Sequence, residues 1–349
     1  MYKRVSINTI FEDYIIFREL NPIKGSLPSF SQIKKELKLA FLPRKKDFEY
    51  AKVLSYLLNT IGSFEKVIYF GDTFLNDGGV IKNLAKLEKY KVLGIITEET
   101  VSDYVKFEDN LIVNTKWKNL SSILKNSGFT FDKKTVVIID IDKTLIGARG
   151  RNDKALDKAR MDAIISLARE IFGKIDIDRF EFVYSEMNKK NMHSFTQDNQ
   201  DIVAIMSIVF YGDYYNLERF IKEFHDGKWV NPVDFLNFIN ISREDKAFEF
   251  VEEVKENLKI QHPTSFPTFR KRELYYTLRR MDFLPDDTDV NDLLNEEIMI
   301  TKEVFEIGLF AKNGGSLVFG LSDKPELSSI PEYKNGKPIY LKKAKIFPK

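Results

Sequence analysis

A chain of 349 residues, 43% hydrophobic and 30% charged, can bury a sizeable core, and its length favours two domains over one. Its 54 basic and 52 acidic side chains leave a formal charge of +2, which excludes the strong electrostatic pull of a dedicated nucleic-acid or membrane-surface protein and points to a small-molecule partner. With no cysteine there is no disulfide, thiolate nucleophile or cysteine-bound zinc, and His193, His225 and His262 show no ligand spacing, so any metal is expected on oxygen ligands.

Acidic residues interrupt the N-terminal MYKRVSINTIFEDY too early for a signal peptide, and no later run approaches the ~20 apolar residues of a membrane span. A cytoplasmic location is the expectation. Residues 1–35 mix strand-like and irregular patterning and fit no single element. A helical pattern over Tyr50 to Asn59 leads into the apolar run Val67 to Phe70, and a second helical pattern over Gly79 to Tyr90 leads into Val92 to Ile96. A helix near Leu120 to Lys125 precedes the third run, Val136 to Ile139, and the fourth is Leu317 to Leu321. Short apolar runs ending in Gly, Ser or Asp read as buried strands of a parallel sheet, and their alternation with helices predicts an α/β, Rossmann-like fold.

Residues 147–315 differ in character, with amphipathic helical patterns and few strand signals. One helix is expected to start with Asn152 or Asp153 as N-cap and to bury Leu156, Ala159, Ile164 and Leu167; another opens at Ser242 to Asp245. Asn231-Pro232 and Phe266-Pro267 mark breaks, and Gly314-Gly315 returns the chain to the sheet. The expected organisation is therefore a sheet domain of residues 1–146 and 316–349 with a helical insertion of 147–315.

The third run delivers Asp140-Ile141-Asp142-Lys143-Thr144 to the carboxyl end of its strand, where ligands of open parallel sheets bind. Two carboxylates two residues apart suit one attacking phosphorus while the other protonates a leaving oxygen. The fourth run leads into Ser322-Asp323-Lys324-Pro325, where Ser322 offers either a donor to a phosphoryl group or the cap of a short helix. The first run leads into Gly71-Asp72-Thr73-Phe74-Leu75-Asn76-Asp77.

These segments resemble the motifs of the haloacid dehalogenase (HAD) superfamily. Asp140 to Thr144 is similar to its DxDx(T/V) nucleophile motif, Ser322 to its second motif and Gly71 to Asp77 to its GDxxxxD acidic motif. The resemblance implies a Mg²⁺-dependent phosphate-monoester hydrolase acting through an aspartyl-phosphate. Asp140 would be nucleophile, Asp142 general acid and base, and Ser322 a phosphoryl donor; Asp72, Asp77, Asp140 and the Asp142 carbonyl would serve the metal. The family lysine would fall in Arg44-Lys45-Lys46, with Lys46 favoured slightly over Lys45 and Lys324 ranked lower. The motif order, lysine, acidic pair, nucleophile, serine, implies a circularly permuted core, since 27 residues after Ser322 are too few for the remaining motifs. The helical insertion would be a cap of the C1 type.

Thr144, Arg149 and Arg151 are further substrate-binding candidates, the two arginines being either readers of a second anionic group or solvated residues of a hinge. Arg270, Lys271, Arg272, Arg279 and Arg280, interleaved with Tyr275 and Tyr276, form either an exposed helix face or an anion reader. The same aspartates would serve a phosphomutase or phosphotransferase, and a binding protein that kept the fold is the reading from another class.

Overall fold

The computed structural model describes residues 2–330 and 344–346. The remaining residues of the expected 316–349 segment lie outside the described ones. The chain divides into two compact units, Met1–Lys158 with Thr277–Lys349, and Ala159–Tyr276.

In chain order the first unit carries β1 (Arg4–Val5), α1 (Asn8–Phe11), β2 (Ile15–Ile16), α2 (Phe30–Glu36), α3 (Phe48–Ile61), β3 (Lys66–Gly71), α4 (Asp77–Lys86) and β4 (Lys91–Thr97). There follow β5 (Val105–Glu108), β6 (Leu111–Asn114), α5 (Leu120–Ser127) and β7 (Thr135–Asp140). The helix α6 (Asp153–Phe172) runs from this unit into the second.

Seven strands form one sheet in the order β2 and then β8 (Leu317–Leu321), β7, β3, β4, β6 and β5. All neighbours are parallel except β5 with β6. The expected α/β fold and mostly parallel sheet are therefore present. Every residue of β7 is buried, which explains its unbroken apolar run from Val136 to Ile139: helices cover both faces and no alternation is needed. Val136 and Ile138 face a core shared with Val53, Leu54 and Leu57 of α3 and Val80 and Leu84 of α4. Their neighbours Val137 and Ile139 point the other way, as the period of two in a strand requires. There α15 (Lys302–Asn313) packs, its Gly308 lying against Ile10 and Ile139. Each such aliphatic side chain withdrawn from water contributes about 1.5–3 kcal/mol.

One segment is filled in here and one boundary is redrawn. The segment 1–35, left unassigned by sequence, supplies the edge strand β2, whose two residues are too few to show a period, and Arg4–Val5 pairs antiparallel with β9 (Ala344–Lys345). The helical insertion is shorter than 147–315: residues 147–158 and 277–315 group with the sheet. They include α14 (Val290–Glu296) and α15.

The second unit is helical among its described residues: most of α6, then α7 (Ile177–Met187), α8 (His193–Thr196), α9 (Gln200–Tyr211), α10 (Leu217–His225), α11 (Pro232–Phe238), α12 (Lys246–Lys259) and most of α13 (Pro267–Arg279). From Asp201 to Phe210, α9 is buried on all sides, as expected of a helix apolar around its circumference. Phe220 anchors an aromatic cluster with ring centroids 4.8 Å from Phe210 and 4.7 Å from Phe235. Asp245 caps α12 where the sequence placed a helix start, and Asn231, read from sequence as a break, caps α11. No helix among the described residues is long and apolar enough to cross a membrane.

Candidate active site

Three adjacent parallel strands deliver the chemistry. Ile139 of β7 pairs with Phe70 of β3 on one side and Gly320 of β8 on the other, so all three strands end at the same level. Asp140, the loop from Asp72 to Asp77, and Ser322 thus meet at the carboxyl edge of the sheet, although far apart in sequence.

The carboxylates of Asp72, Asp77 and Asp140 come within 4.8 Å of one another, all buried. Lys45 enters from the loop before α3, with its side chain 2% exposed. Its Nζ donates to Asp140 Oδ1 at 2.5 Å and to Asp77 Oδ1 at 2.9 Å, and lies 3.6 Å from Asp323. Lys46, the lysine favoured by sequence, is exposed, while its carbonyl accepts from Asn83 Nδ2 on α4. Docking the Lys46 backbone against α4 turns Lys45 inward, and that is a tertiary effect. Gly79 permits it, since a Cβ there would stand 3.0 Å from Lys46 Cα.

Asp77 has its oxygens filled by the protein. Oδ1 accepts from Lys45 and, at 2.8 Å, from the Tyr69 hydroxyl; Oδ2 accepts from the Asp72 and Thr73 amides and the Thr73 hydroxyl. Gly71 makes room for it, because a Cβ at that residue would fall 2.5 Å from Asp77 Cβ. Burial pushes the Asp77 carboxyl up, but Lys45 and the hydrogen bonds outweigh this and hold it down at about 2. Asp77 is a fixed anion that organises the loop.

Asp140 and Asp72 behave oppositely. Burial chiefly, with Asp77 and Asp72 adding to it, drives Asp140 well above the ordinary carboxylate range against the pull of Lys45. Burial and then Asp77 push Asp72 up to about 7, against Arg149. Lys45 stays firmly protonated because Asp140, Asp323 and Asp77 together outweigh its desolvation. Two buried carboxylates whose charge is costly, brought from two different strand ends to a third, fit a hard cation held by oxygen; an added positive charge relieves the repulsion.

Thr144 donates to Asp140 Oδ2 at 3.0 Å, and its own carbonyl accepts from the Thr301 hydroxyl at 2.6 Å. It positions Asp140. Asp142 lies outside the three-carboxylate cluster: Ser322 Oγ donates to its Oδ2 at 2.5 Å, and Lys324 Nζ lies 3.4 Å from Oδ1. Ser322 is fixed in turn by its amide, which donates to the carbonyl of Ile16 in the edge strand β2 at 3.1 Å. Ser322 caps no helix: its hydroxyl oxygen accepts from the Lys324 amide at 3.0 Å, but the short helical turn that follows, Glu326–Ser328, has Pro325 at its N-cap.

The two hinge arginines separate. Arg149 forms an ion pair with Asp72 through Nε. Arg151 is gripped by Glu99 at 2.8 Å and Glu303 at 3.0 Å, a site for protein carboxylates instead of a substrate anion. The basic aromatic helix is likewise neutralised at several positions: Arg270 pairs with the buried Asp201 and Glu273, Arg272 with Glu170 and Arg280 with Glu296. Tyr69, Asp323 and the Arg149–Asp72 pair were not foreseen. Tyr69 carried one signal, a hydroxyl in an otherwise apolar strand.

Comparison with known proteins finds no matching family model, no matching curated protein and no matching solved structure.

Proposed function

We propose that this chain is a Mg²⁺-dependent phosphate-monoester hydrolase that works through an aspartyl-phosphate on Asp140, in a HAD-like core with its motifs in permuted order. The observation that carries the reading is the placement of Lys45 Nζ between Asp140 and Asp77, with Asp72 in the same carboxylate cluster at the sheet edge. Four separate sequence motifs converge on one point, which chance resemblance gives no reason to expect. The permutation costs nothing structurally, because β8, β7 and β3 are lateral neighbours and chain order does not alter which loops meet. The helical unit, inserted between the Asp140 loop and the Ser322 strand, is the proposed cap.

In this reading Asp140 Oδ attacks phosphorus in line as the ester oxygen leaves with a proton from Asp142. A water deprotonated by Asp142 then attacks the phosphorus of the aspartyl-phosphate, releasing inorganic phosphate and restoring Asp140. Ser322 and Lys324 orient Asp142; Thr144 and Lys45 orient Asp140 and balance its charge. Asp72 and Asp140 would hold the cation, whose charge would screen the carboxylate from the incoming phosphate.

The test is phosphate release from an aryl phosphate and from a panel of sugar phosphates, nucleotides and phosphorylated acids, with Mg²⁺ and with EDTA. Metal-dependent release from at least one member is expected. Silence across the panel with Mg²⁺ contradicts the reading.

A further inference from the structure

Among the described residues two basic side chains pair with the carboxylates of Asp72, Asp77 and Asp140, and they differ in how firmly they are built in. Lys45 is sealed, 2% exposed and shared between Asp77 and Asp140. Arg149 holds Asp72 alone among the three, and its side chain is 28% exposed against 6% for Asp72. The Arg149 backbone is clamped independently of that side chain. Its amide donates to the Lys143 carbonyl at 2.7 Å, and its carbonyl accepts from the Glu99 amide at 3.0 Å and from Trp117 Nε1 at 3.1 Å. Glu98 and Asp153 stand near enough to attract the guanidinium.

We infer that Arg149 is a displaceable counter-ion that occupies Asp72 in the metal-free site, gives way to the divalent cation, and so sets the cation affinity. This rests on the cation-dependent reading above. A guanidinium and a divalent cation on one carboxylate repel each other strongly in a buried setting, and Arg149 is the partner with an open side and alternative carboxylates. The clamped backbone confines the exchange to a side-chain rotation, without unfolding of the loop.

The experiment is calorimetric titration of the full chain with Mg²⁺ alone, at a pH above 7, on wild type, Arg149→Met, Arg149→Lys and Asp72→Asn. Arg149→Met should bind Mg²⁺ roughly tenfold or more tightly than wild type, the scale of a charge-assisted hydrogen bond. Arg149→Lys should stay within about threefold of wild type, as its charge is kept, and Asp72→Asn should lose most affinity. Equal or weaker binding by Arg149→Met overturns the inference and leaves the cation reading standing. No binding by wild type or either Arg149 variant overturns both. A second readout needs no variant: phenylglyoxal modification of wild-type Arg149, mapped by mass spectrometry, should quicken several-fold when Mg²⁺ replaces EDTA. An unchanged or slower rate overturns the exchange.

Discussion

Lys45 and Asp140, 95 positions apart, meet at 2.5 Å in a buried site, and the ammonium also serves Asp77. Removing it leaves anions buried without their partner. Lys45→Met should lower stability by about 3–5 kcal/mol in EDTA and reduce turnover at least 100-fold, whereas Lys46→Met should change either only slightly. Denaturant unfolding and steady-state kinetics on both variants check this; equal effects would mean that the lysine assignment is wrong.

The pH dependence of the metal-free protein has a definite sign. Asp72 titrates at an ordinary 3.8 when unfolded and at about 7 when folded, so the stability linked to its proton is full below 3.8 and is lost as pH rises through 7. Asp140 shifts in the same direction. Asp77 does the opposite: its folded value near 2 gives stability above its ordinary 3.8 that is lost as pH falls toward 2. In EDTA the protein should therefore be less stable at pH 8 than at pH 5, by up to about 1.4 kcal/mol per pH unit for each proton released. Asp72→Asn should flatten the difference, and Mg²⁺ should reverse it. Urea unfolding at the two pH values measures it.

Asp142 has two duties in the proposed cycle, and a substrate with a weakly basic leaving group separates them. With p-nitrophenyl phosphate, Asp142→Asn should release a rapid burst of nitrophenol near one equivalent. Steady turnover should then fall by roughly 10²–10⁴, because water attack on the phosphoenzyme lacks its base. A fall in rate without a burst would remove Asp142 from the second step.

Gly71 is needed for space. A Cβ 2.5 Å from Asp77 Cβ must displace that side chain or the strand end. Gly71→Ala should cost about 1–3 kcal/mol and lower turnover well beyond what the lost stability explains. Thermal unfolding with kinetics measured below the transition would show both.

The strands of the site were legible because each is a buried apolar run that ends in chemically distinctive residues. Asp72, Asp77, Asp140 and Ser322 could be read in this way. Lys45 could not be told from Lys46, because the choice is made by Asn83 and Gly79 of another element, through contacts that leave no trace in local patterning. The helix Lys302–Asn313 was assigned to the insertion because its periodicity shows an apolar face but not which core receives it; Ile10 and Ile139 decide that. The arginines of the hinge and of Pro267–Arg279 advertised anion binding by composition alone, and apart from Glu273 beside Arg270 the carboxylates that pair with them lie distant in sequence.

The most direct test of the central claim is to trap the intermediate. Wild type with Mg²⁺ and a substrate that it turns over is acid-quenched within the first turnover, digested, and searched for a hydroxylamine-labile phosphate by mass spectrometry. That phosphate is expected on Asp140 and is expected to be absent from Asp140→Asn, which should also be inactive. Phosphate on another residue, or turnover retained by Asp140→Asn, would contradict it.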